Sequence, residues 1–199
     1  MKKRTYSLRS QVGFSMIEVM VSLVILLLGL LGLVGLIVTS QRAETESYQR
    51  AQALLLLQDM VGRINANRRV APCYAITTDV TNGAPAMGTG STVAPSCGLG
   101  SVQAYTLANS DLTAWNNLLL GTTETVSVSN VVSNAGAMVG ARGCVSVDAV
   151  TGIYWVTVAW QGIAPTAAPV SSLTCGKNLY GNEQLRRVVS MPVQIANLN

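Results

Sequence analysis

The feature that most constrains this chain is an uncharged apolar run near its N-terminus. Val19–Val38 is a stretch of twenty residues that contains no charged side chain. As an α-helix it would be about 30 Å long, which matches the hydrocarbon thickness of a bilayer. The run therefore predicts one membrane-spanning helix. The rest of the 199-residue chain is long enough for a single domain of ordinary size.

The distribution of charge indicates how such a helix would be oriented. The first thirteen residues contain four basic residues and no acidic one: Lys2, Lys3, Arg4 and Arg9. The flank that follows the run mixes Arg42 with Glu44 and Glu46. Because cationic flanks stay on the cytoplasmic side, we expect the N-terminus in the cytoplasm and residues beyond about 40 outside it.

The basic pI of 9.0 does not point to a nucleic-acid partner. Without the four leading cations, nine of the 13 basic residues remain, and they balance the nine acidic residues. The other basic pairs, Arg68–Arg69 and Arg186–Arg187, are expected to be solvated surface. We therefore predict no nucleic-acid binding.

Catalytic and metal-binding chemistry is poorly represented in the sequence. The chain has no histidine, which excludes histidine-based triads, proton shuttles and metal sites. The acidic residues of the region after Pro72 are scattered singly, without the spacing of a carboxylate pair or a calcium loop. We expect neither an enzyme, nor a cofactor, nor a metal site.

Four cysteines, Cys73, Cys97, Cys144 and Cys175, follow the apolar run. They form no CxxC motif, and an even count beyond a membrane segment is typical of disulfides in an oxidising compartment. Three pairings are possible. Local pairing, Cys73 with Cys97 and Cys144 with Cys175, closes the shortest loops and is the expected one, each bridge contributing about 3–4 kcal/mol in the chain-entropy model.

The junction just before the apolar run, Gly13-Phe14-Ser15-Met16-Ile17-Glu18, contains a carboxylate at the membrane boundary. An unpaired acid costs roughly 2.5–3.5 kcal/mol at full membrane depth, so Glu18 needs a partner. A cut between Gly13 and Phe14 would create a free α-amine, which is a suitable one. The alternative is an ordinary secretory signal cleaved after Val38-Thr39-Ser40, but the apolar run is about twice as long as a typical signal core.

Residues 13–23, Gly-Phe-Ser-Met-Ile-Glu-Val-Met-Val-Ser-Leu, resemble the N-terminal signature of type IV prepilins and type II secretion pseudopilins. The resemblance implies that a prepilin peptidase cuts after Gly13 and that the new N-terminal Phe14 is methylated. It also implies that Glu18 pairs with the amine of a neighbouring subunit during filament assembly. Residues 29–36 and 48–67 are similar to the PilV-type minor pilin, the type IV pilus modification protein, so this closer resemblance covers roughly residues 13–70.

The resemblance also implies an α+β fold, in which a long N-terminal helix packs on an antiparallel β-sheet head. The expected divisions are a cytoplasmic leader (1–13), a transmembrane and filament-core helix (14–38), an amphipathic continuation (39–70) and a periplasmic head (71–199). The implied partners are the prepilin peptidase, other minor and major pilins, the inner-membrane pilus assembly machinery and, before assembly, membrane lipid. The protein would be a single-pass inner-membrane protein first and part of a surface pilus afterwards.

The periodicity of the sequence predicts the elements in more detail. One helix should run from Phe14 to about Asn67, with a buried face at Leu54, Leu57, Val61 and Ile64 and with ion pairs Glu46–Arg50 and Asp59–Arg63. Met60 is expected in the domain core. A long loop (72–109) should precede a short helix that begins at Ser110-Asp111 and ends at Gly121. Alternating segments predict four strands: Thr125–Val131, Gly143–Val147, Ile153–Trp160 and Arg187–Ile195, the last at a sheet edge because of Pro192.

Two features stay open at this level. Gly29, Gly32 and Gly35 permit close helix contacts or local melting, but glycine is also ordinarily tolerated in membrane helices. Trp115, Trp155 and Trp160 could form a ligand platform, although core packing is the more frequent use of tryptophan on helices and strands.

Three functions fit the sequence. The first is a minor pilin that initiates or caps a type IV pilus and so serves adhesion and twitching motility. The second is a minor pseudopilin of a type II secretion system. The third is a periplasmic binding protein held by a signal anchor, which cleavage after Gly13 would exclude.

Overall fold

The computed structural model describes residues 13–122, 125–128, 131–134 and 138–195. Residues 1–12 of the predicted leader (1–13), with their four cations, lie outside these ranges. The chain divides into two compact units, Met1–Ala43 and Glu44–Asn199. The second part of the long helix thus belongs to the same unit as the head.

Helix α1 spans Met16–Ala66, close to the predicted bounds. It continues without a break through Gly29, Gly32 and Gly35, so local melting is not observed there. Its last turns lead into a 3₁₀ segment, Arg68–Tyr74.

The buried stripe of α1 differs from the predicted one. The buried residues are Gln49, Ala53, Leu57, Met60 and Ile64. Leu57, Met60 and Ile64 are therefore core residues as expected, whereas Leu54 is 38% exposed. The prediction followed the large apolar side chains, but the small Ala53 faces the core, which rotates the stripe away from Leu54.

The region predicted as one long loop contains regular structure. Strand β1, Met87–Gly88, lies in this region. Helix α2, Val102–Leu119, begins eight residues before the predicted start at Ser110. The hydroxyl of Ser101 caps α2 by accepting a hydrogen bond from the N–H of Ala104 at 3.3 Å. The small, polar composition around this cap hid the first turns of the helix. Gly121, with φ of +67°, follows its end as predicted.

The head contains a four-stranded antiparallel sheet in the order β1-β4-β5-β6. Strand β4 is Val139–Val147, β5 is Tyr154–Gln161 and β6 is Arg186–Val193, and a 3₁₀ turn, Glu183–Leu185, precedes β6. β6 and Pro192 lie at the sheet edge, as predicted. Strands β2 (Thr125–Val128) and β3 (Val131–Asn134) form a separate antiparallel hairpin, where the sequence predicts one strand.

The core lies between the sheet and the two helices. Leu57, Met60 and Ile64 of α1 and Leu112 and Trp115 of α2 belong to one buried cluster with the inner face of β4 and β5. Gly143 of β4 lets the Trp115 ring lie directly on the strand, because a Cβ there would overlap that ring. The α+β, type IV pilin-like fold class is confirmed.

Both disulfides join the cysteines that are nearest in sequence. Cys73 bonds Cys97 and Cys144 bonds Cys175, with Cα–Cα distances of 5.4 and 5.9 Å. The second bond lies on the outer face of the sheet with Ala159 and Tyr180. It ties β4 to the loop that precedes β6.

Candidate functional site

The N-terminal junction is exposed and non-helical. Gly13, Phe14 and Ser15 precede the helix, and Phe14 is 84% exposed. The Ser15 carbonyl accepts the first helical hydrogen bond, from the N–H of Glu18 at 3.0 Å. The Gly13–Phe14 peptide bond therefore lies in exposed, non-helical backbone, where a peptidase can reach it.

Nothing within the described chain requires glycine at position 13. A Cβ added there would meet no atom within 4 Å, and Gly13 does not have the positive φ found at nine other glycines. The described residues therefore give no packing reason for a glycine at this position.

Glu18 lies in the first turn of α1. A carboxylate in this position is favoured by the partial positive charge of the helix N-terminus. Its backbone carbonyl accepts a hydrogen bond from the Ser22 hydroxyl at 2.6 Å. Its carboxylate forms no ion pair with any residue in the described ranges, so it is available to a group from outside the chain.

The apolar run Val19–Val38 buries no face against the described residues of the chain. Its large side chains are all exposed, the least being Val38 at 41%. Helix α1 is the element in the described chain that is long and apolar enough to cross a membrane. A helix that is hydrophobic on every side needs lipid or other helices around it. Gly29, Gly32 and Gly35 offer open surface to such neighbours, since a Cβ at each would meet nothing within 4 Å.

The last turns of α1 are held to α2 by a polar cluster that the sequence only partly predicts. Arg63 donates to Asp59 at 2.7 Å, as predicted, and to Asp111 of α2 at 2.8 Å. The Tyr74 hydroxyl donates to the second Asp111 oxygen at 2.6 Å. Burial, and next the bond to Asp111, raises the pKa of the Tyr74 phenol far above its usual value.

The predicted pair Glu46–Arg50 is wrong. Glu46 instead accepts from Arg187 of β6 at 3.1 Å and from the backbone N–H groups of Ile163 and Ala164. In this position the Glu46 carboxylate accepts from several donors at once, whereas a pair with Arg50 would be a single solvent-exposed ion pair. This contact joins α1 to the β5–β6 end of the sheet.

The interpretation of Arg186–Arg187 as solvated surface is also wrong. Arg186 is 2% exposed, pairs with Glu183 at 2.7 Å and donates to the carbonyls of Leu173 and Cys175. Arg186 therefore has a structural role, because its guanidinium donates to two backbone oxygens of the disulfide loop at once. Arg68 and Arg69 are exposed, as expected.

The tryptophans divide into two groups. Trp115 is buried and donates its indole N–H to the Leu56 carbonyl at 2.9 Å, and Trp160 is buried beside it in the core cluster. Trp155 is 40% exposed on the opposite face of β5. The three rings therefore do not form one platform. Within the described residues, no group of three histidine, cysteine or acidic side chains is arranged to hold a metal ion.

Comparison with known proteins supports the prediction made for the N-terminal segment. Residues 8–34 match the prokaryotic N-terminal methylation motif. No curated protein and no solved structure matches the chain significantly. The motif indicates a protein of the type IV pilin or pseudopilin class, and it contains Gly13, Phe14 and Glu18.

Proposed function

We propose that this chain is a minor pilin of a type IV pilus, made as a precursor and built into the filament through its N-terminal helix. The observation that carries the proposal is the methylation motif at residues 8–34, which coincides with an exposed junction and with the start of the apolar run Val19–Val38, whose large side chains are all exposed. A prepilin peptidase cuts between Gly13 and Phe14, and the Phe14 amine is then methylated. The role of the protein is structural rather than enzymatic.

The proposed assembly step depends on Glu18. Before cleavage no residue of the described chain forms an ion pair with its carboxylate, and in a membrane an unpaired charge at this depth is costly. After cleavage every subunit exposes a Phe14 amine at the start of α1. A neighbouring subunit, offset along the filament, can place this amine on Glu18, so that neutralising the carboxylate selects one register of docking.

The position of the protein in the cell follows from the same elements. The chain is inserted in the inner membrane with residues 14–38 across the bilayer and the head in the periplasm, where both disulfides can form. It then leaves the lipid for a filament of minor and major pilins, with the help of the inner-membrane assembly machinery. At the pilus it helps initiate or cap the filament and so supports adhesion and twitching motility.

A minor pseudopilin of a type II secretion system is the second candidate, because it would share the whole N-terminal segment. The similarity of residues 29–70 to PilV-type minor pilins favours the pilus. A deletion strain separates the two: loss of surface pili and twitching is expected, with secretion of exoproteins unchanged. Loss of secretion with normal pili would assign the protein to the second candidate.

The assembly step is tested with Glu18→Ala and Glu18→Gln. Membrane insertion should be equal to wild type or better, because a costly charge is removed. The amount of the variant in sheared pili should fall by about tenfold or more, the effect expected from losing one charge-assisted contact. Glu44→Gln, which removes an exposed charge elsewhere on α1, is the matched control. Wild-type levels of Glu18→Ala in pili would contradict the register mechanism.

A further inference from the structure

A pocket in the head, far along the chain from the assembly segment, has the character of a binding site. Its walls come from the segments 78–86 and 89–93 on either side of β1, from residues 177–179 and from Arg142 of β4. Its volume is about 650 Å³, within the range of roughly 300–1,000 Å³ that is usual for small-molecule sites. We refer to it as the Arg142 pocket.

Arg142 is a half-buried cation held in a fixed position at this pocket. Its guanidinium lies 4.9 Å from the ring centroid of Tyr180 and donates to the Gly140 carbonyl at 3.2 Å. It forms no ion pair with a carboxylate of the described chain. The guanidinium also hydrogen-bonds the Tyr180 side chain, so these contacts orient it while its positive charge has no carboxylate counter-ion in the described chain.

Lys177, also half-buried, supplies a second positive charge in the pocket wall and likewise has no ion pair among the described residues. One acidic side chain, Asp79, lies in the pocket wall itself, and the two cations outnumber it. The Asp79 carboxylate accepts from the N–H groups of Thr81 and Asn82 and from the Asn82 amide. The Glu183 carboxylate is bound by Arg186 and by the N–H of Asn178.

The remaining lining is rich in hydroxyl groups. Thr78, Thr89, Ser91 and Thr92 line the pocket, and three of them, all but Ser91, are exposed. Hydroxyls can donate and accept, which suits a ligand that itself carries many hydroxyl groups. A single phosphate or sulfate ion would leave most of the 650 Å³ unfilled. The two cations and the hydroxyls together fit a larger, polyhydroxylated anion.

We propose that the Arg142 pocket binds an acidic saccharide, with Arg142 and Lys177 contacting its carboxylates and the threonine and serine hydroxyls contacting its hydroxyl groups. The proposal concerns the head alone and does not depend on how the N-terminal helix is used. Acidic saccharides of this kind are found on cell surfaces and in extracellular matrices.

The test is calorimetric titration of the full-length chain, in a neutral detergent, with trigalacturonate. Wild type is expected to bind trigalacturonate and not the neutral maltotriose. Arg142→Gln and Lys177→Gln should each weaken binding by about tenfold or more, the effect of losing a charge-assisted contact. Arg69→Gln removes the same charge at an exposed position outside the pocket and should leave binding unchanged.

Three results would overturn the proposal. The first is an absence of trigalacturonate binding to wild type. The second is an affinity for trigalacturonate in both pocket variants that equals that of wild type. The third is displacement of trigalacturonate by inorganic sulfate at a similar concentration, which would indicate a simple anion site. Thermal unfolding of each variant shows that it is folded. If Arg142→Gln unfolds because its stacking on Tyr180 is lost, Lys177→Gln, which lacks such a contact in the described chain, decides the question.

Discussion

Asp111 is the residue on which the contact between the two helices depends most. It accepts from Arg63 of α1 and from Tyr74, and only 9% of it is exposed. Asp111→Ala would leave the half-buried Arg63 guanidinium with Asp59 as its one partner. It would also leave the buried Tyr74 hydroxyl with a weaker partner. We expect the free energy of unfolding to fall by roughly 2–4 kcal/mol.

Urea unfolding of the purified chain, followed by tryptophan fluorescence, measures this loss. Asp111→Asn should cost less, because its amide oxygen can still accept from Tyr74. Asp79→Asn is the control, since Asp79 lies in an exposed turn whose hydrogen bonds an amide oxygen can also accept. A loss for Asp111→Ala no larger than that of Asp79→Asn would show that the cluster adds no stability.

Tyr74 makes the stability of the head depend on alkaline pH. Its raised pKa means that the folded chain keeps a proton that the unfolded chain loses above pH of about 10. The folded state binds more protons in that range, so stability is full below pH of about 10 and falls as pH rises above it. Burial also raises the pKa of Tyr154 and Tyr180, which adds to the same trend.

The measurement is the unfolding midpoint between pH 8 and 11 for wild type and Tyr74→Phe. The variant should be less stable at pH 8, because a buried hydrogen bond is lost, but its midpoint should decline less steeply. Tyr48→Phe, at an exposed position, is the control. Parallel curves for wild type and Tyr74→Phe would be inconsistent with a proton held by Tyr74.

At the residue scale, the sequence reveals what depends on local spacing. The Gly13-Phe14 junction, Glu18 and the Asp59–Arg63 pair are all visible within five or six positions. The bonds from Arg63 to Asp111 and from Glu46 to Arg187 join residues that are 48 and 141 positions apart. Such contacts depend on how the elements pack, so a single sequence gives no signal for them.

At the element scale, the attachment of α1 to the sheet depends on the space at Gly162. A Cβ at this position would lie 2.6 Å from the Arg187 guanidinium carbon, in the way of its bond to Glu46. Gly162→Ala should therefore displace Arg187 and lower the free energy of unfolding by about 0.5–1.5 kcal/mol, the range of a partly exposed ion pair with added hydrogen bonds.

A double-mutant cycle with Arg187→Ala identifies the cause. In the Arg187→Ala background the Gly162→Ala change should cost little, because the group it displaces is already gone. Gly62→Ala, on an open helix surface, should be neutral or slightly stabilising. Additive effects of the two main substitutions would mean that Gly162 acts through the backbone and not through Arg187.

The elements themselves were predictable where one period dominates the sequence. Helix α1 and strand β5 carry long apolar patterns and were located within two or three residues. The start of α2 was missed because Asn109, in the predicted loop, is a helix residue whose amide also binds the backbone of Cys97. In the sequence, a helical asparagine that binds a disulfide loop cannot be distinguished from an asparagine that lies in a loop.

At the scale of the whole molecule, the two compact units have different physical requirements. Glu44–Asn199 contains both disulfides, the core and the Arg142 pocket, and is self-sufficient in buried contacts. The described part of Met1–Ala43 is an apolar helix with every large side chain exposed. This division is what a precursor needs if one part folds in an oxidising compartment and the other exchanges lipid for neighbouring subunits.

The central claim is that the mature protein begins at Phe14, and the mass of the intact chain tests it most directly. The protein should be purified from sheared pili of a strain with its own prepilin peptidase and measured without reduction. The expected mass is that of residues 14–199 with one added methyl group and two disulfides. A chain that begins at Gln41, as after an ordinary signal peptide, or that retains residues 1–13, would contradict it.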